Sequence, residues 1–179
     1  MMTMNSEASE ATNEICGIEA AQARTFVGEN ADYYWSKWSA AQNPLKRAGW
    51  NWSAFLAGFF WLGYRKMYLE VWMFAALFLA FDIAEFLLQI PFSKSLGIIV
   101  SAVLGMGGNT LYLKHMQKKI ALLTAQNLTA QETDAALAET GGASWRGVGI
   151  ASLIFALYIA LSFVIEVIVK AARITQAAS

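Results

Sequence analysis

Three long stretches with almost no charge constrain this chain more than anything else in it: residues 67–90, 95–113 and 147–169. A helix needs about 20 predominantly apolar residues to cross the roughly 30 Å hydrocarbon core of a bilayer. Each stretch has that length, so the chain belongs to the membrane class and its expected fold is all-α. The first stretch carries Asp82 and Glu85. An acid at a span centre costs roughly 2.5–3.5 kcal/mol, and each Leu, Ile, Phe or Val returns about 0.3–0.6 kcal/mol. Both acids lie past the midpoint, where that cost falls, so the stretch still inserts. Pro91 is expected to end it.

Composition agrees. Hydrophobic residues make up 57% and charged residues 15% of the 179, against roughly 25% charged in an ordinary soluble domain. The net charge of zero gives no basic field for nucleic acid. The single cysteine, Cys16, excludes an internal disulfide, and no Cys/His grouping suggests a metal. No cofactor is expected. The first 25 residues lack a basic segment followed by an apolar one, so the N-terminus is expected to stay in the cytoplasm.

Residues 1–17 read as a disordered tail. Residues 18–43 read as two short cytoplasmic or membrane-surface helices. The first runs from Ile18 to Val27 and is closed by Gly28; the second is capped by Asn30, with Asp32 in its first turn. On the second, Ala31, Tyr34, Trp35, Trp38 and Ala41 share one side, either packed on the rest of the protein or lying on lipid. Asn43-Pro44 ends it.

Residues 44–66 hold an aromatic stretch, and Gly49 to Tyr64 is uncharged for sixteen residues. As a helix that is roughly 24 Å, short of a full span. A strained span, a re-entrant helix and an interfacial helix all remain open. Trp50, Trp52 and Trp61 suit the headgroup level. Lysine and arginine counts choose the topology. With three spans, Lys37, Lys46, Arg47, Arg65, Lys66, Lys114, Lys118, Lys119 and Arg146 lie inside, and Lys94, Lys170 and Arg173 outside: nine against three. A fourth span through residues 49–64 would make the count six against six. Three spans with a re-entrant or interfacial aromatic helix follow. Residues 114–146 form a cytoplasmic loop with one short helix, capped by Thr129 with Glu132. Residues 170–179 are a tail.

Several residues could carry function. Gly97, Ser101, Gly105 and Asn109 form a small-residue ladder on the second span, and Ser152, Ala156 and Ala160 a matching one on the third; helix packing is its plain use. Asn109, Tyr112 and His115 share a side near the inner end. His115 reads as a polar anchor or a proton relay. Acids in a span are functional candidates by default, which singles out Asp82, Glu85 and Glu166. Their structural use is pairing with Lys94 or Lys170; their functional use is an outward acidic pocket, with Tyr158, Ser162 and Glu166 as a polar stripe. Glu70 is expected to pair with Lys66. No nucleophile–base pair, HExxH or nucleotide loop is present.

Three segments, FVGENADYYWSKW (26–38), WNWSAFLAGFFWLGYRKMY (50–68) and GGNTLYLKHMQKKI (107–120), resemble the bacterial domain of unknown function 2628 family. The resemblance covers about residues 26–120, and Tyr64–Tyr68 is its most specific part. This chain has Trp50 where phenylalanine is expected, and Gly58 to Phe60 where a Gly-Pro step is common, which implies a straighter helix. The resemblance implies a small bacterial inner-membrane protein and brings no activity with it. Carried over by residue, it marks Asn51, Trp52, Trp61, Tyr64, Arg65, Lys66, Met67, Tyr68, Asn109, Tyr112 and His115.

The expected function is non-enzymatic: association with the lipid bilayer and with a second copy or a membrane-protein partner. The alternative is a subunit of a cation or small-molecule transport assembly, with Asp82, Glu85 and Glu166 around the path. A weaker third is an enzyme on lipid head groups, with Arg65, Lys66 and His115 as phosphate contacts.

Overall fold

The structure, a computed structural model, describes residues 13–88 and 93–177, without the side chains of residues 93, 94, 176 and 177. The tail before residue 13, the stop at Pro91 and the pairing of Asp82 with Lys94 lie outside it.

A two-residue hairpin comes first, β1 (Glu14–Ile15) and β2 (Ile18–Glu19), paired antiparallel with Ile15 opposite Ile18. The sequence had placed residues 13–17 in the tail and the start of a helix at Ile18. The hairpin forms because Ile18 is buried and because Gln117 Nε2 donates to the Cys16 carbonyl at 2.8 Å, tying the turn to a later helix. Among the described residues seven helices follow: α1 (Ala20–Val27), α2 (Ala31–Ser39), α3 (Trp52–Tyr64), α4 (Tyr68–Leu88), α5 (Ser93–Thr124), α6 (Ala130–Thr140) and α7 (Trp145–Ala177). Three of them are long and apolar enough to cross a membrane, over Tyr68–Leu88, Ser95–Thr124 and Trp145–Thr175.

Two of these outrun their expected ends. α5 continues ten residues and more past Leu113, because Met116, Ile120 and Leu123 keep an apolar face that the cap covers. α7 continues past Val169 through good helix formers, with Glu166 and Lys170 paired one turn apart. α6 starts as expected: the Thr129 backbone N–H donates to Glu132 Oε2 at 2.9 Å and the Glu132 N–H donates to Thr129 Oγ1 at 3.3 Å. At α2 the expected cap fails. Asn30 sits in the left-handed region and its side chain bonds no N–H; Asp32 pairs instead with Arg24 of α1 at 2.6 Å.

The core lies at one end of the long helices rather than between them. Phe26, Tyr34, Trp38, Leu62, Met67, Tyr112, Leu113, Met116 and Leu137 meet where α1, α2 and α6 close over α3 and α5. The aromatic face of α2 is thus packed on the protein, with Trp38 1% exposed. Elsewhere the long helices bury little: Val71 and Ala75 on α4, Ala151 and Ile154 on α7. Leu153, Phe163, Ile98 and Leu77 stand exposed around them. Apolar residues on all sides of a helix suit a non-aqueous surround.

α3 is a broken helix. Gly58 has φ 42° and ψ −109°, a conformation open in practice to glycine alone, so the helix breaks here and is not the straighter one that the missing Gly-Pro step implied. The chain enters at Asn51, whose N–H donates to the Gly105 carbonyl of α5 at 2.7 Å. It turns at Gly58 beside Leu104, then returns to Trp61, whose ring lies 6.3 Å from that of Tyr112. Both ends of α3 therefore meet the same end of α5. Its closest approach to α7 is at Gly63 and Gly147, where a Cβ on Gly147 would strike the Gly63 carbonyl oxygen. The ladder on α5 serves this insertion. Gly105 seats the Trp50 ring, and a Cβ on Gly108 would lie 2.7 Å from that of Ala54. Ser152, Ala156 and Ala160 on α7 remain exposed, so no matching ladder engages.

Candidate functional site

The residues singled out at the capped end divide into two groups. The first is a polar knot around Asn51 and Asn109, which are 1% and 0% exposed. Asn51 is the N-cap of α3, where its Oδ1 accepts from the Ala54 N–H at 2.8 Å. Its Nδ2 donates to Asn109 Oδ1 at 2.8 Å. Asn109 Nδ2 donates to the Ala48 carbonyl at 3.1 Å, with those of Gly49 and Trp50 slightly farther. Trp38 Nε1 donates to the Asn109 carbonyl at 3.0 Å, and Thr110 Oγ1 to that of Pro44 at 2.9 Å. The segment 44–50 has no helix of its own, so these side chains satisfy the carbonyls it would otherwise bury unpaired.

The second group is built by the turn after α3. The Met67 N–H donates to the Leu62 carbonyl at 2.9 Å and the Lys66 N–H to that of Gly63 at 3.0 Å, with Leu62 and Met67 fully buried against the same core. This pattern is the paired C-terminal stop of a helix, in which the residue at Lys66 takes a positive φ, here 57°. The stop aims two cations at two other helix ends. Lys66 Nζ donates to the Glu139 carbonyl at the end of α6 at 2.7 Å. Arg65 Nη1 lies 3.5 Å from the Val27 carbonyl at the end of α1. Cations are favoured at helix C-termini. The Lys66–Glu70 pair expected from sequence is therefore not made. Glu70 Oε1 faces His115 Nδ1 at 3.3 Å instead, across α4 and α5, an ion pair when the imidazole is protonated.

Arg65 is 4% exposed. Its guanidinium carbon lies 4.7 Å from the centre of the Tyr34 ring, 5.1 Å from Tyr112 and 5.7 Å from Tyr64. Among the described residues no carboxylate pairs with it, and its Nε has no hydrogen-bond partner. A buried charge costs several kcal/mol. Each aromatic face returns roughly 0.5–2 kcal/mol, so three faces offset much of that cost. The Tyr112 hydroxyl is buried with no hydrogen-bond partner among the described residues. Beside this cluster a cavity of about 380 Å³ opens between α2, α3 and α7. Arg65, Tyr34, Tyr64 and Trp61 form one side, Phe60 and Val148 another, and Trp145 its rim.

The remaining candidates scatter. Met67 is core and Tyr68 faces the close approach at Gly147. Trp61 is buried rather than at a surface, and Trp52 is 65% exposed. At the far end Tyr158 Oη and Ser162 Oγ donate to Asp82 Oδ2 at 2.8 and 2.6 Å. Lys170 pairs with Glu166, not with Asp82. Glu85 is half-buried and partnered. The three acids thus converge on no common point, although a hollow of about 230 Å³ lies beside Tyr158, Ser162 and Glu166. Among the described residues no group of three His, Cys, Asp or Glu could hold a metal. Sequence reasoning missed Tyr34 and Glu70 as site residues. The helical spacing of Tyr34 marked it only as packing, and Glu70 had a nearer basic neighbour.

No curated protein matches the chain, and no solved structure does. The family described as protein of unknown function (DUF2628) matches residues 10–118, which include the hairpin, α1 to α4 and most of α5, and therefore the asparagine knot and Arg65. With well over half its length matched, the chain belongs to the DUF2628 family.

Proposed function

We propose that this chain is a non-enzymatic, multi-pass protein of a bacterial inner membrane with its N-terminus in the cytoplasm. It works by association, with the bilayer through three spans and with a second copy or a membrane-protein partner through the outer faces of α4 and α7. One observation carries the reading. Lys46, Arg47, Lys66, Lys114, Lys118, Lys119 and Arg146 all gather at the end closed by α1, α2 and α6, as an inward-facing end requires. The engagement of Asn51, Asn109, Lys66 and His115 in structural bonds supports a scaffold rather than a catalyst.

Single cysteines in a Cys16→Ser background test the orientation. A membrane-impermeant maleimide on intact cells should label a cysteine at Thr175 and reach one at Lys118 only after permeabilisation. The reverse pattern overturns the reading. Cysteines at exposed Leu153 and Phe163 should cross-link a second copy or a partner in the membrane, and a scan of α7 without any cross-link would remove association through that face.

Asp82 supports a second reading, a subunit of a cation transport assembly. It is a carboxylate among apolar helices, held among the described residues by two hydroxyls, with Glu166 along the same helix as those hydroxyls. Asp82→Asn should abolish cation flux into proteoliposomes; unchanged flux sinks that reading.

A further inference from the structure

We propose that the cavity beside Arg65 binds an anionic lipid, with the lipid phosphate at the guanidinium and its apolar part along Phe60, Val148 and Trp145. Three observations converge on this occupant. Arg65 is a fully charged group at ordinary pH, yet it is 4% exposed and no carboxylate among the described residues neutralises it. Among the described residues its one hydrogen-bond acceptor, the Val27 carbonyl, lies a long 3.5 Å from Nη1, and its Nε is buried without a partner. The planar fork of donors thus keeps capacity for an oxyanion, the ligand geometry it matches best.

Arg65 lines the cavity, so that capacity meets open space there. None of the residues that line it is acidic, so an anion meets no like charge. At about 380 Å³ it exceeds a phosphate and has room for a headgroup with the first carbons of a chain. Its outer part is apolar, and Trp145 at its rim is 79% exposed, an indole placed as at a membrane interface. A free phosphate would leave those walls uncovered, which favours the amphiphile. Lys66 and His115 take no part, since they are engaged with Glu139 and Glu70. The proposal rests on the membrane placement above, but its test does not need it.

The full chain, purified in a neutral detergent, is titrated with short-chain phosphatidylglycerol, short-chain phosphatidylcholine and inorganic phosphate. Binding is read by tryptophan fluorescence, since Trp61 and Trp145 line the cavity, and by native mass spectrometry. Saturable one-to-one binding of phosphatidylglycerol is expected, at least tenfold tighter than phosphatidylcholine and a hundredfold tighter than phosphate. Arg65→Gln should weaken it tenfold or more. Because that variant alters a buried cluster, Ser53→Phe serves beside it: Ser53 is exposed at the cavity, so the ring fills the space and leaves Arg65 in place. It should lose binding and keep the wild-type melting temperature. Equal binding of the two lipids, or full binding by a folded Ser53→Phe, overturns the proposal. Phosphate binding as tightly as phosphatidylglycerol overturns the lipid as occupant. Failure of the cysteine labelling with lipid binding intact would overturn the orientation alone.

Discussion

Replacing Asn109 by alanine tests how the aromatic insertion is held. The Asn51–Asn109 bond alone is a modest contribution, since hydrogen bonds between membrane helices average about 0.6 kcal/mol in double-mutant cycles. Truncation does more than remove that bond. It leaves Asn51 Nδ2 and the Ala48 carbonyl buried with no partner from α5. Each orphaned group costs roughly 1–3 kcal/mol, so the loss should be about 2–6 kcal/mol. Asn51→Ala removes the same bond and also the cap on the Ala54 N–H, worth about 1 kcal/mol. The double variant should fall short of the sum of the singles by about 1 kcal/mol or more, because the two share a bond. Asn109→Asp keeps the acceptor for Asn51 but turns a second oxygen toward three carbonyls, so it should be at least as damaging as alanine. Unfolding of the purified protein in mild detergent, followed by circular dichroism, gives the values. Strict additivity, or an Asn109→Ala loss below about 0.5 kcal/mol, would refute the account of segment 44–50 as held by these side chains.

Three further outcomes follow from local geometry. Gly147→Ala drives a Cβ into the Gly63 carbonyl and should cost about 1–3 kcal/mol in the same assay, whereas Gly149→Ala, with open space around it, should cost far less. At Lys66 the backbone is left-handed, so Lys66→Gly should be about 1 kcal/mol more stable than Lys66→Ala; both lose the bond to Glu139, but only glycine relieves φ 57°. The Glu132 carboxyl is held below its ordinary value by the hydrogen bonds from the Thr129 side chain and backbone. A lowered carboxyl stabilises above its unfolded value and loses that contribution as pH falls through its folded value. The protection of α6 amides, their exchange relative to the intrinsic rate at each pH, should therefore fall on acidification through the carboxylate range, and Thr129→Ala should flatten that response.

What the sequence made legible was whatever depends on a period or a local stop. The three long apolar helices, the Thr129–Glu132 cap and the face of Tyr34 and Trp38 each rest on residues within a few positions of one another. Charge counting along the chain excluded a fourth span through the aromatic stretch. Contacts between distant segments were not legible. Spacing offered Glu70 a partner at Lys66, but the helix stop at Arg65–Met67 reverses the chain and sends Lys66 to α6. The ladder on α5 was visible as small residues, yet nothing local says that its occupant is Trp50 and Ala54 rather than another span. Gly58 could be read as a glycine, but its positive φ is imposed by the two ends of α3 meeting the same end of α5.

That break in α3 links the fold to the cavity. Asn51 and the stop at Arg65–Met67 fix the two ends of a segment too short to cross. With both ends held on one side, the segment can only turn, and glycine at 58 lets it do so without a side-chain clash. The returning half then carries Trp61 and Arg65 under α2 and meets α7 at the Gly63–Gly147 approach, at Tyr64 on Trp145, and at Phe59 and Phe60 on Phe155, while Ala57 and one side of Phe60 border open space. The gap left between these contacts is the cavity. A straight α3 would carry Arg65 away from Tyr34 and Tyr112 and close no such space, so the position of the buried cation and the room beside it have one cause.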